Sequence, residues 1–119
     1  MPFETEQITL DSGIVVLALS GTMTMGNLLQ RLEFVVRDLT KENQNRIVID
    51  MSKISYLDSA SIGVLLNCSA LVRNAGGQLR LAALADRVLA TLKLVGLDGL
   101  LPISPSREEA VSEITPPHR

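Results

Sequence analysis

Three short runs of aliphatic and β-branched residues, "IVVLALSG" from Ile14, "RIVIDM" from Arg46 and "QLRLAAL" from Gln78, are separated by segments whose apolar residues recur at helical spacing. Runs of that length fit buried strands, and a 3.6-residue apolar period fits a helix packed by one face. Strands that alternate with helices are joined by crossovers, so they run parallel, and such crossovers are right-handed. The alternation restricts the chain to one α/β domain with a mixed, mostly parallel sheet.

The remaining elements attach to this frame. Glu4 to Asp11 alternates, with Ile8 and Leu10 on one face, and "DSG" at Asp11 to Gly13 supplies a turn. That predicts an edge hairpin whose second strand is the more buried. From Gly26 the stripe Leu28, Leu32, Val35, Val36, Leu39 predicts an amphipathic helix ending near "KENQN". "RIVIDM" is read as a strand ending at Met51, with "SKISYL" as its connection to a second helix that starts at Asp58 or Ser59 and stops at the glycines of "NAGGQ". A third helix is expected from Ala85 to Val95 through Val88, Leu89, Leu92 and Val95, then a short strand at "LLPI". Ser106 stands three residues before Glu109, a capping-box spacing that opens a short last helix. The expected domain covers residues 1–114, with four to five strands and about four helices, and "TPPHR" at 115–119 is expected to be a flexible tail.

Composition removes several functions. A chain of 119 residues can close one core without staples. Its 11 basic and 13 acidic residues leave a net charge of −2, so no basic surface is on offer to nucleic acid or to an anionic membrane. The single cysteine, Cys68, lies in an apolar periodic segment without a second thiol and reads as a small buried hydrophobe. No apolar run approaches the roughly 20 residues of a membrane span, and no charged-then-apolar leader opens the sequence, so the expected location is cytoplasmic. No cofactor is implied. "NAGGQLR" lacks the phosphate-loop pattern, no metal-ligand cluster or pair of carboxylates stands out, and the one histidine, His118, lies in the proline-bounded tail.

The informative stretch is "YLDSASIGVLL", Tyr56 to Leu66, which follows a strand and opens a helix where α/β proteins place their functional crevice. Three readings compete. Asp58 or Ser59 could cap the helix by accepting from its orphan amides. A serine hydroxyl here could accept a phosphate, which the positive end of the helix would stabilise. Ser61, followed by Gly63, could be a nucleophile on a tight elbow, but position 59 is serine where the elbow pattern needs glycine. Behind the serines, Val64, Leu65, Cys68, Leu71 and Val72 form a packing stripe, while Ile62 and Leu66 face elsewhere. That pair is either an exposed docking patch or is covered by another helix.

From "VIDMSKISYLDSASIGVLL" through "RNAGGQLRLAAL" to "LVGLDGLLPISPSREEAV" the sequence resembles the STAS domain family, specifically the stand-alone bacterial anti-sigma factor antagonists. The shared features are a strand carrying Asp50, the Asp58–Ser59 pair, Gly63 with its apolar helix, the Gly76–Gly77 turn and the "GL" at Gly96 with the apolar residues after it. The resemblance implies a STAS fold and a partner switch. The unphosphorylated antagonist binds an anti-sigma factor that is also a serine kinase, releasing a sigma factor; phosphorylation inactivates it and a PP2C-type phosphatase restores it. The phosphorylated serine of the family aligns with Ser59, with Ser61 as second choice, and the implied partner-binding residues are Thr24, Asp58, Ser59, Ser61, Ile62, Gly63 and Leu66. Ser61 stands where the family has a glycine, and Thr24 where an acid is common. The expected function is therefore a non-enzymatic, phosphorylation-controlled binding module; the alternatives are an unphosphorylated STAS scaffold or accessory subunit of a signalling or transporter assembly, and an enzyme of unassigned chemistry.

Overall fold

The computed structural model describes residues 3–97 and 99–114, leaving out the side chains of residues 27 and 28. The side chain of Leu28 in the first helical stripe, His118 and the tail expected at 115–119 lie outside what the structure describes. The elements run β1 (Glu4–Thr9), β2 (Val15–Met23), α1 (Asn27–Lys41), β3 (Arg46–Leu57), α2 (Ser59–Asn74), β4 (Gln78–Ala82), α3 (Asp86–Leu94), β5 (Ile103–Ser104) and α4 (Arg107–Glu113).

The sheet order is β1-β2-β3-β4-β5. β1 pairs antiparallel with β2, and the other neighbours are parallel. Each crossover from β2 to β5 steps the same way across the sheet, so three right-handed connections place α1, α2 and α3 on one face. There Leu17, Leu19, Ile47, Ile49, Leu81 and Met23 meet Leu32, Val36, Leu65, Cys68, Val72, Val88 and Leu92 in the main core. After β5 the chain turns to the opposite face, where Ala110 and Ile114 of the α4 segment pack on Val16, Val48 and Ala82 in a second, smaller cluster. Ile14 belongs to the same cluster, and Ile8 and Leu10 pack against it.

The hairpin, its turn and the greater burial of β2 agree with the sequence pattern. Ser106 accepts a hydrogen bond from the Glu109 amide at 3.1 Å, as the capping spacing predicts. Gly77 is required because β4 starts against the neighbouring loop: a Cβ at this position would sit 2.0 Å from the Asn45 carbonyl oxygen, which accepts from the Gln78 amide.

Three boundaries differ from expectation. "SKISYL" is not a connection but the second half of β3, because the long β2 continues past β4 and pairs Ser20 with Lys53 and Met23 with Leu57. The final strand is Ile103–Ser104 rather than "LLPI", with Leu101 turned into the core. Val95, placed on the buried stripe of α3, is 52% exposed because the helix ends at Leu94.

Candidate functional site

The longest strands, β2 and β3, project together beyond β4, which ends opposite Asp50. Their shared end carries Met23 in register with Leu57, and the next residue, Asp58, begins the turn into α2. The Asp58 amide donates to the Met23 carbonyl at 3.1 Å. Its side chain then does two jobs. Oδ1 accepts from the Ser61 amide at 2.8 Å, which makes Asp58 the N-cap of α2. Oδ2 accepts from the Met25 amide at 3.0 Å, which ties the loop between β2 and α1 to the same carboxylate. The Ser61 amide, joined by the Ser61 hydroxyl and the Met25 amide, outweighs the cost of burial and holds the Asp58 carboxyl below its usual pKa.

The two serines part company here. Ser61 is fully buried, and its hydroxyl lies 2.5 Å from the Met23 carbonyl and 2.8 Å from Asp58 Oδ1. One hydroxyl proton serves both acceptors, so Ser61 fastens the first turn of α2 to the end of β2. A nucleophile or phosphoacceptor must be reachable, and this one is enclosed and committed. Ser59, the first residue of α2, is exposed, and among the described residues its hydroxyl makes no hydrogen bond. It stands at the positive end of a 16-residue helix whose first-turn amides point outward. The cap reading thus belongs to Asp58, which leaves Ser59 free.

Of the other residues singled out from sequence, Thr24 is exposed on the loop that Asp58 holds, and Gly63 is half-buried one turn into α2. A Cβ at Gly63 would meet nothing within 4 Å, so internal packing does not demand a glycine there. Ile62 and Leu66 are not an exposed pair. Ile62 is 8% exposed within the main core and Leu66 is half-buried against it, while α1 meets α2 on its other flank, at Val64 and Asn67. The exposed apolar group that is tied to this site went unnoticed in the sequence: Met25, 78% exposed, whose amide donates to Asp58. An apolar residue between threonine and glycine in "TMG" is the one local signal that marked Met25.

On the polar half of the opposite sheet face, Asp50 Oδ2 accepts from Arg107 Nε at 2.7 Å and Oδ1 accepts from the Ser52 amide at 2.9 Å. Burial works to raise the Asp50 pKa, but the Ser52 and Arg107 donors together hold it below the usual value. Arg107 opens α4, so the pair fastens that helix to β3. Residues so distant in sequence carry no local pattern that would have joined them. Cys68 is buried as expected, and desolvation, first among its causes, pushes its thiol up to about 12, which leaves it inert. Among the described residues no cluster of metal-ligating side chains forms, and no helix is long and apolar enough to cross a membrane.

A five-stranded sheet with three helices on one face and a fourth turned onto the other, and with a capped helix start presenting a free serine, agrees with the family resemblance read from the sequence. The STAS domain family model matches residues 6–110, and the chain belongs to that family. BtrV of Bordetella bronchiseptica, named as a candidate anti-sigma factor antagonist, is 26% identical over 108 residues, 89% of this chain and 92% of its own length. The crystal structure of a candidate anti-sigma factor antagonist from Thermotoga maritima superposes with a TM-score of 0.83 at 24% identity, covering 92% of this chain and 93% of that one. The Bacillus cell fate determinant SpoIIAA, solved in its phosphorylated form, superposes with a TM-score of 0.71 at 15% identity, covering 92% and 97% of the two chains. At those identities the structural likeness speaks for the fold.

Proposed function

We propose that this protein is an anti-sigma factor antagonist that acts by binding rather than by catalysis. Unphosphorylated, it engages an anti-sigma factor with serine kinase activity and so frees a sigma factor; phosphorylation of Ser59 switches it off, and a PP2C-type phosphatase resets it. The observation that carries the reading is the division of labour at the start of α2, where Ser61 is locked inside and Ser59 stands exposed and unbonded. The antagonist names of full-length relatives such as BtrV support the partner class.

In the switching step the kinase supplies ATP. The Ser59 oxygen takes the γ-phosphoryl group, its proton leaves to a base on the kinase, and ADP departs. The product adds about −1.5 to −2 charges beside the ionised Asp58. The helix N-terminus tolerates that charge in water, whereas a desolvated interface does not, so binding is lost while the fold is kept. Thr24, Asp58, Ser59 and Gly63 form the polar part of the proposed docking surface, with Ser61 positioning them from below. Met25 takes the apolar role that the sequence had suggested for Ile62 and Leu66. Such a switch works in the cytoplasm and needs neither nucleic acid nor a membrane.

The test is intact-mass measurement and peptide mapping of the protein from its own cells in different growth states, together with partner binding by two variants. One phosphate on Ser59, full binding by Ser59→Ala and at least tenfold weaker binding by Ser59→Asp are expected. A phosphate on Ser61, or equal binding by Ser59→Asp, overturns the assignment. A protein never phosphorylated in any state would return the domain to an unmodified scaffold.

A further inference from the structure

Helix α1 turns one side to the core through Leu29, Leu32, Val36 and Leu39, yet it also holds Phe34 out to solvent at 59% exposure. Phe34 is a ridge between two depressions. One, about 780 Å³, lies between Phe3, Glu4 and Gln7 at the sheet edge and Arg31, Phe34 and Asp38 of α1; the other, about 340 Å³, runs along α1 toward Val64 of α2. A large apolar side chain flanked by two grooves, each roomy enough to take another side chain, is a surface suited to contact.

The charges around it suit a second copy of the same helix. Glu33 and Arg37 pair with each other at 3.5 Å within the helix, whereas exposed Arg31 and Asp38 make no ion pair among the described residues. Arg31 and Asp38 are two helical turns apart and so lie on one line of the helix, roughly 10 Å from each other, with Phe34 and Val35 between them on either side of that line. This pattern is self-complementary under a twofold axis. If a second α1 packs antiparallel with the axis between positions 34 and 35, each Arg31 faces the other copy's Asp38, and each Phe34 faces the other copy's Val35. At the usual 8–10 Å between helix axes both ion pairs close, and each Phe34 drops into the groove beside its counterpart.

We propose that this α1 face is the interface of a homodimer, with Phe34 as its apolar centre and two Arg31–Asp38 ion pairs fixing its register. Small exposed patches of this kind give weak, reversible association, so the dimer forms and dissolves with concentration. The proposal is independent of phosphorylation at Ser59, because none of the lining residues belongs to the partner-docking set.

Sedimentation velocity on the full chain across a wide concentration range tests it. The weight-average mass should climb from 12.9 kDa toward twice that value. Phe34→Glu, and separately Arg31→Asp and Asp38→Arg, should each weaken association at least tenfold, with circular dichroism showing the fold retained. The decisive arm mixes the two charge variants. Arg31→Asp and Asp38→Arg repel themselves but complement each other, so the mixture should associate as the wild type does. A wild type that stays monomeric at every concentration, a Phe34→Glu variant that still dimerises, or a mixture that fails to associate would overturn the proposal.

Discussion

Asp50 and Asp58 both lie on or just beyond β3, both accept from a backbone amide a few residues ahead, and both reach across to a distant segment. Both are held below the ordinary carboxyl pKa. They differ in what stands beside them. The oxygens of Asp50 are taken by Arg107 and the Ser52 amide, so the site is closed and its effect is to hold α4 on the sheet. Asp58 is equally occupied, but the residue after it is an exposed hydroxyl on the first turn of a helix. A depressed pKa therefore marks a well hydrogen-bonded carboxylate in either place, and only the free neighbouring group makes one of them a candidate for chemistry.

The comparison predicts a graded set of outcomes. The largest loss of stability should come from Arg107→Ala, which leaves the 7%-exposed Asp50 carboxylate without its charged partner, at a cost of about 2 kcal/mol. Because Arg107 is itself partly exposed, the cost should stay below that of a fully buried pair. Urea unfolding measures it, and binding of the anti-sigma partner should be unchanged. A matching loss of binding would show that the two regions are coupled.

Asp58→Ala should cost about 1–2 kcal/mol as a lost helix cap. Unlike the first variant it should also weaken partner binding and speed hydrogen exchange at the Met25 amide, whose acceptor is gone. An unaltered Met25 exchange rate would mean that the loop is held by something other than the carboxylate.

Acid sharpens the same contrast. A carboxyl whose folded pKa is depressed contributes stability that is fully present above its unfolded value, about 3.9, and is lost as pH falls through the folded value. The wild type should therefore hold its urea midpoint from neutral pH to about pH 5 and lose it progressively below that. Asp58→Asn should show a shallower acid decline, with the share due to Asp50 remaining.

The smallest effect should have the opposite sign. Gly63→Ala fills space that nothing occupies and removes a helix-interior glycine, so the fold should gain about 0.5–1 kcal/mol while partner binding falls. A variant that is both more stable and equally good at binding would remove Gly63 from the docking surface.

The sequence carried most of the elements because strand and helix periods are local: the hairpin turn, the start of α2 at Asp58–Ser59, the stop at Gly76–Gly77 and the cap at Ser106 are each written in a few adjacent residues. It also carried the candidate segment, since a polar cluster between a strand and a helix is visible without coordinates. Its local pattern left the choice between Ser59 and Ser61 to the family resemblance, which favoured Ser59, and it left Ile62 and Leu66 with either a partner or a covering helix. Those questions turn on which groups from distant segments approach: the Met23 carbonyl over Ser61, the main core around Ile62, Arg107 over Asp50. Local pattern determined the fold class and the order of elements, because hydrophobic period and capping act within a few residues along the chain. The tertiary structure alone decided which serine is enclosed and which is reachable, because burial and hydrogen bonding across the fold depend on how those elements pack.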